Sequence, residues 1–240
     1  MACLITGIYD VNRNTVLADN NFETIEKWVL SLQKNNVNGI IFHNNFDADT
    51  INRHQSELIQ FVKIDYNKNF NPNVFRYFVY LDYLKKHIDQ INSVFLTDVS
   101  DVEMIKNPFL DPLFANENNL IFSGDEPQIL NNPWMNDHSN WLRSKIIDYQ
   151  LFETEFANAT LLNCGIIGSK LNLMISLLEK LTAIHFEYNQ NNTTAFTSDM
   201  GAYNYLLRTK FQNQLFHGTP CNTIFKEYQT ERKDCWFMHK

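Results

Sequence analysis

Short apolar runs alternate with segments of helical periodicity from one end of this 240-residue chain to the other. Runs of four to eight apolar residues indicate buried strands, whereas apolar residues repeating at i, i+3, i+4 and i+7 indicate amphipathic helices. Such alternation is typical of an α/β sandwich of three layers with a mainly parallel mixed sheet. Because no linker and no internal repeat is visible, we expect a single domain over residues 1–240, which is either the whole protein or part of a longer one.

The periodicity places individual elements. Strands are predicted at residues 3–8, 39–43, 61–65, 93–97, 119–123, 160–168 and 214–217. The first helix is expected to follow an Asn21 cap and to bury one stripe of side chains, namely Ile25, Trp28, Val29 and Leu32. A later helix, near residues 73–87, shows a second stripe that consists of Phe75, Phe78, Val79, Asp82 and Tyr83. Another helix is predicted over residues 171–181.

Charge and composition exclude some classes of function. The net charge is −7 and no block of basic residues is long enough to follow a phosphate backbone, so we expect no nucleic-acid partner. No apolar run approaches the roughly 20 residues that span a bilayer. No secretory signal is visible in the first residues, so we expect none, and the cysteines are dispersed at Cys3, Cys164, Cys221 and Cys235. Reduced thiols in the cytoplasm are therefore expected, whereas the oligomeric state stays open.

The sharpest local feature is an apolar strand that ends in two carboxylates. Residues 93–97 are followed by Asp98 and, three positions later, Asp101. Ligands of open α/β sheets bind outside the carboxyl ends of the strands, and paired carboxylates suit Mg²⁺ or Mn²⁺ held together with substrate phosphates. The alternative is a turn in which Asp98 only caps the next segment.

Three more segments accompany these acids in a fixed order. They are residues 5–13 (Ile-Thr-Gly-Ile-Tyr-Asp-Val-Asn-Arg), residues 162–168 (Leu-Asn-Cys-Gly-Ile-Ile-Gly) and residues 198–204 (Ser-Asp-Met-Gly-Ala-Tyr-Asn). Together with residues 101–109 (Asp-Val-Glu-Met-Ile-Lys-Asn-Pro-Phe), the set resembles glycosyltransferases of the GT-A fold and, in its first strand, the HtrL/YibB-like group of bacterial and viral glycosyltransferases. The resemblance spans nearly the whole chain.

The resemblance implies a metal-dependent glycosyltransferase of the hexosyltransferase type with a Rossmann-like GT-A sandwich. Its donor is a nucleotide-diphosphate sugar, with a UDP-sugar favoured, and its acceptor is a glycan or another hydroxyl compound. A diphosphate is anionic and this protein has a net charge of −7, so the diphosphate needs a local positive centre. A bound Mn²⁺ or Mg²⁺ would supply that centre. The residues implied in donor binding are Thr6, Tyr9, Asp10, Arg13, Arg76, Asp98, Asn163, Gly165 and Lys240.

The resemblance also implies metal ligands and a catalytic residue. Asp98 and Asp101 are the acidic ligands, and the third ligand is His239, with His217 as its competitor. Asp199 is the catalytic candidate: in an inverting reaction it would take the acceptor proton, and in a retaining one it would hold the donor sugar. The alternative for Asp199 is a helix cap.

The acceptor side is assigned to residues 107–143. Four prolines in this span indicate a long irregular excursion, and long loops in compact domains are often functional. Asp125, Glu126 and Trp134 lie in it, and acids and tryptophans bind sugars well.

Two other functions stay open. A nucleotidyltransferase that makes a sugar nucleotide would share the sheet, but it usually has a Gly-rich loop after the first strand, where this chain has only Gly7. A catalytically silent sugar-binding module is the second alternative, against which the acids Asp98, Asp101 and Asp199 argue.

Overall fold

The computed structural model describes residues 1–10, 15–191 and 197–240, and for residues 9, 10 and 15 it describes the backbone alone. The helices are α1 (Glu23–Lys34), α2 (Ala48–His54), α3 (Pro72–Lys86), α4 (Pro112–Asn116), α5 (Pro133–Arg143), α6 (Tyr149–Glu155), α7 (Leu171–Tyr188) and α8 (Asp199–Thr209). The strands are β1 (Ala2–Leu4), β2 (Tyr9–Asp10), β3 (Thr15–Val16), β4 (Gly39–His43), β5 (Ile59–Lys63), β6 (Ser93–Thr97), β7 (Val102–Met104), β8 (Ile121–Ile129), β9 (Thr160–Lys170), β10 (Leu215–His217) and β11 (Phe237–His239). Of the helices in the described ranges, none has the length and apolar character that crossing a membrane requires.

The sheet is mixed. β1, β4 and β5 pair in parallel, and β10 pairs in parallel with β8, but β9 runs antiparallel to both β8 and β6. The two sheets adjoin at β1, where Met1 O accepts a 3.0 Å hydrogen bond from Thr97 N and the Met1 ammonium donates to Phe95 O. The α/β class with mixed parallel and antiparallel pairing is therefore confirmed.

Both faces of the sheet are covered. On β6, Val94 and Leu96 belong to a core with α3, α7 and α8, while Phe95 between them belongs to a second core with α1. Successive strand residues point to opposite faces, so an uninterrupted apolar run is what a doubly covered strand requires. The layers are compatible with a Rossmann-like sandwich.

The buried face was predicted correctly for α1 but not for α3. The stripe of α1 is buried as expected, but α1 begins after Phe22 and no side chain caps it, so the Asn21 cap was wrong. The stripe predicted for α3 was also wrong, because the buried residues are Val74, Arg76, Tyr77, Tyr80 and Leu84. Aromatic residues surround this helix on both sides, and Phe75 and Phe78 pack on each other and on the preceding loop. Hydrophobicity alone therefore does not identify its buried face.

Residues 107–143 are not the irregular excursion that four prolines suggested. The nine residues of β8 and the eleven of α5 occupy much of this span. Pro112 and Pro133 begin helices, and the side chains of Asp111 and Asn132 before them accept hydrogen bonds from the first turn. Proline is favourable there because the first helical N–H groups have no partner within the helix. These two prolines thus mark where helices begin, whereas Pro127 lies within β8.

A glycine in β9 tests the packing of the sheet. Phe95 lies directly opposite Gly168, and a Cβ at Gly168 would lie 2.1 Å from Phe95 Cε1. We expect Gly168→Ala to lower the free energy of unfolding by about 1–3 kcal/mol or more, because the ring must leave its place in a close-packed core. Gly124→Ala is the control with a milder contact, 3.3 Å from Ile166 Cβ. Urea unfolding of both variants measures the difference, and equal losses would contradict this view of the packing.

Candidate functional site

The candidate site lies where the order of the strands changes direction. β1 is flanked by β4 on one side and, through the hydrogen bonds of Met1, by β6 on the other. Chain connections leave β1 first towards β5 and later towards β6, and in open α/β sheets such a reversal marks the usual ligand-binding crevice, at the carboxyl ends of the strands. Thr6 follows β1 and Asp98 follows β6 at this crevice.

Three predicted metal ligands meet at the crevice. Asp98, Asp101 and His239 each offer one ligand atom, and these atoms all lie within 4.8 Å of one another. The convergence depends on the antiparallel pairing of β11 with β7, which sets His239 opposite Val102. Lys240 N also donates a 2.8 Å hydrogen bond to Asp101 O. This ladder brings the last residues of the sequence beside the strand-end acids, and we name the three residues the acid–histidine cluster.

His239 is suited to bind a cation. Its side chain is 1% exposed, and burial lowers the pKa of the imidazole to about 4, so that the ring is neutral near pH 7. Its Nδ1 atom has no hydrogen-bond partner among the described residues, and its ring packs on Phe225 at 4.5 Å between centroids. A neutral imidazole beside two carboxylates is a donor set that fits a divalent cation.

Gly165 forms the floor of the acid–histidine cluster. A Cβ at this position would lie 2.6 Å from Asp98 Oδ2 and 2.8 Å from His239 Cε1. The register of β8 with β9 shifts between Ser123 and Gly124, next to this part of β9. Such irregularities often reorient a strand beside a binding site. The glycine therefore leaves open the space that the ligand atoms surround.

Arg76 is buried and contacts the cluster through Asp98. The buried guanidinium forms an ion pair with Asp98 Oδ1, lies 3.8 Å from Asp199 Oδ2 and donates a 3.3 Å hydrogen bond to Cys164 Sγ. Burial alone would lower the pKa of Arg76, but the Asp98 carboxylate outweighs burial and holds it well above its usual value. The structure thus pairs Arg76 with carboxylates, and the phosphate contact expected for it stays a prediction.

Asp199 is buried at the start of α8, with 5% of its surface exposed. Its Oδ1 atom accepts a 2.6 Å hydrogen bond from Thr197 Oγ1, and Oδ2 accepts a 3.6 Å contact from the thiol of Cys164. Burial raises the pKa of this carboxyl, but Arg76 and the Thr197 hydroxyl outweigh burial and lower it below the ordinary value. Asp199 is therefore an ionised, firmly held carboxylate. Ser198 before it adopts a left-handed conformation with φ 59° and makes no side-chain cap.

The other predicted donor residues have mixed outcomes. The Thr6 hydroxyl donates to Asp19 at 2.9 Å, and Asn163 Oδ1 accepts a 2.6 Å bond from Gly165 N. Lys240 forms an ion pair with Glu103, so its ammonium has a protein partner. Arg13 lies outside the described residues, and of Tyr9 and Asp10 only the backbone of β2 is described.

The predicted acceptor residues form two separate groups. Glu126 accepts a 2.9 Å hydrogen bond from Asn163, and burial raises the pKa of the Glu126 carboxyl. Asp125 contacts His217 instead, with 3.1 Å between Oδ2 and Nδ1. The structure thus places His239, and not His217, beside the two metal-ligand acids. Trp134 is 44% exposed and stacks on His138 at a ring distance of 3.7 Å.

Sequence reasoning gave no role to Cys164 or Asn222. Cys164 was visible only as one residue of a motif, yet it contacts both Arg76 and Asp199. Asn222 holds the backbone of Asp125 from 97 residues away. Neither contact has a sequence signal, because both depend on which distant strands become neighbours.

Comparison with known proteins adds no identification. No protein-family model matches the chain, and a search of curated proteins finds no match.

The acid–histidine cluster predicts that the protein binds Mn²⁺. The affinity for Mn²⁺ should exceed the affinity for Mg²⁺, because one of the three ligands is a nitrogen atom. We expect His239→Gln to weaken Mn²⁺ binding at least about tenfold. Loss of a residue that only orients a metal ligand already costs about tenfold in affinity, and loss of a ligand itself should cost no less. His87→Gln, after α3, is the matched control and should leave the affinity unchanged. Isothermal titration calorimetry measures both, and equal affinities for the two variants would remove His239 from the site.

Proposed function

We propose that this protein is a metal-dependent glycosyltransferase of the hexosyltransferase type that moves a sugar from a nucleotide-diphosphate sugar to a hydroxyl group. The observation that carries the proposal is the acid–histidine cluster at the carboxyl edge of the sheet, where the strand order changes direction. A UDP-sugar is the favoured donor and a glycan or another hydroxyl compound the acceptor. The GT-A fold is part of the same proposal and is supported by the mixed sheet and its strand-end acids.

Asp98, Asp101 and His239 would hold Mn²⁺ or Mg²⁺. Such an ion would act as a Lewis acid that stabilises negative charge on a departing diphosphate. The two oxygens of Asp98 have different neighbours, since Oδ1 pairs with Arg76 and Oδ2 lies by the Gly165 floor next to His239. Arg76 therefore orients Asp98 while the second oxygen remains directed at the cluster.

The rest of the donor site follows from the crevice. Thr6 and the residues after β1 would contact the nucleoside, and Asn163 and Gly165 would lie under the sugar and diphosphate. Asp199 is joined to the cluster through Arg76, which supports a position near the donor sugar. A cytoplasmic location and a single domain stay predictions from the sequence.

A nucleotide should stabilise the fold only when a divalent cation is present. We expect UDP with Mn²⁺ to raise the free energy of unfolding by about 2.7 kcal/mol at a hundredfold excess over its dissociation constant. EDTA should remove the effect, and Asp101→Asn should abolish it. Thermal unfolding with a panel of nucleotide sugars, followed by product analysis, measures binding and transfer together. An equal shift with and without EDTA would contradict a metal-bridged diphosphate, and consumption of a nucleoside triphosphate with a sugar phosphate would instead indicate a nucleotidyltransferase.

Asp199→Asn separates function from structure at the start of α8. The amide keeps the size of the side chain and can still accept from Thr197, but it removes the negative charge beside Arg76. We expect turnover to fall by about 10² or more, with Mn²⁺-dependent nucleotide binding retained. Asp137→Asn, at an exposed position of α5, is the matched control. Near-normal turnover of the Asp199 variant would leave Asp199 with a structural role alone.

A further inference from the structure

A histidine–aspartate pair, His217 and Asp125, lies outside the acid–histidine cluster. His217 ends β10, and its Nδ1 atom lies 3.1 Å from Asp125 Oδ2 in β8. Both side chains are partly open to solvent, with 28% and 24% of their surfaces exposed. Unlike Asp199, these groups are accessible to a substrate.

The surrounding structure fixes this pair. Asn222 accepts a 3.3 Å hydrogen bond from Asp125 N and donates a 2.9 Å bond to Asp125 O, so two contacts clamp the backbone of the acid. Gly218 has a φ of 80°, and a Cβ there would lie 3.0 Å from Asp125 Oδ2. Any larger residue would therefore be strained and would crowd the carboxylate. These contacts hold Asp125 beside His217, and in the tautomer with the proton on Nδ1, His217 donates to Asp125 Oδ2 and carries its lone pair on Nε2.

The pair lies at the same edge of the sheet as the acid–histidine cluster. β10 adjoins β8, and β8 adjoins β9, which carries Gly165. Two strand spacings of roughly 4.8 Å put His217 about 10 Å along the edge from the floor of the cluster. Between them, Glu126, the neighbour of Asp125, is linked to Gly165 through Asn163.

The alternative bases are engaged in other contacts. Asp199 is 5% exposed, and Thr197, Cys164 and Arg76 occupy both of its oxygens. A general base has to reach the proton that it removes. We propose, on the basis of the proposed function, that His217 is the catalytic base that takes the proton from the acceptor hydroxyl, and that Asp125 positions it.

The proposed step is a single displacement. The acceptor O–H bond breaks and its proton passes to His217 Nε2, while the acceptor oxygen forms a bond to the anomeric carbon of the donor. The bond from that carbon to the diphosphate oxygen breaks, and its electron pair leaves with the nucleoside diphosphate. His217 then returns its proton to solvent. Because attack and departure occur on opposite faces, the product has inverted anomeric configuration, and Asp199 takes no part in the proton transfer.

The first test compares transfer with donor binding. We expect His217→Gln to lower the rate of transfer by about 10² or more while the Mn²⁺-dependent thermal shift with UDP stays as in the wild type. Asp125→Asn should also lower the rate, since an amide does not hold the same tautomer. His87→Gln is the control and should transfer normally. Normal transfer by the His217 variant, or a rate lost only in Glu126→Gln, would overturn the proposal.

Chemical rescue distinguishes a base from a structural residue. Added imidazole should restore transfer by His217→Ala, because a small base can enter the vacated space, but it should not restore Asp101→Ala. Proton NMR of the product gives the anomeric configuration, and a retained configuration or an absence of rescue would overturn the assignment of His217. If the wild-type protein transfers sugar from no nucleotide sugar, the proposed function itself fails, and the role of His217 fails with it.

Discussion

A buried guanidinium balances the charges on which this site depends. Arg76 lies between Asp98 and Asp199, which approach the crevice from two different elements of the fold. Two carboxylates so close to a protein interior would repel each other and lose solvation, and a buried charge without its partner is strongly destabilising. Because Arg76 compensates both, Asp98 can direct its second oxygen to the acid–histidine cluster and Asp199 can stay ionised beneath it. Arg76 thereby links the acid–histidine cluster to the start of α8.

The backbone arrangement around Arg76 explains why the site is assembled from residues far apart in the chain. The β7–β11 ladder returns the last residues of the chain to Asp101, and the shifted register of β9 places Gly165 under Asp98 and His239. Both features are needed, because the β7–β11 pairing places His239 at the site and Gly165 leaves the space between the ligand atoms open. The combined result is that three side chains able to ligate a metal converge at the carboxyl edge of the sheet.

Local signals in the sequence predicted what depends on local structure. The apolar run of β6 followed by Asp98 was enough to place an acid at a strand end, and the closing His239 was named as a partner of the acids. Contacts that depend on which strands become neighbours could not be predicted from local sequence patterns. No periodic pattern reveals that α3 buries the guanidinium of Arg76 beside carboxylates, and the antiparallel course of β9 has no signature in an uninterrupted apolar run. His217 was considered as a metal ligand, whereas Asp125 reaches it only through the pairing of β10 with β8.

The central claim is that the three residues of the acid–histidine cluster form one divalent-cation site, and X-ray anomalous scattering tests it directly. A crystal of the protein soaked with Mn²⁺ and UDP, measured at wavelengths on both sides of the manganese edge, gives the position of the ion. We predict a single strong anomalous peak within bonding distance of Asp98, Asp101 and His239, with the diphosphate on its open side. A peak at other residues, or a diphosphate bound in the crevice with no manganese beside these three, would contradict the account.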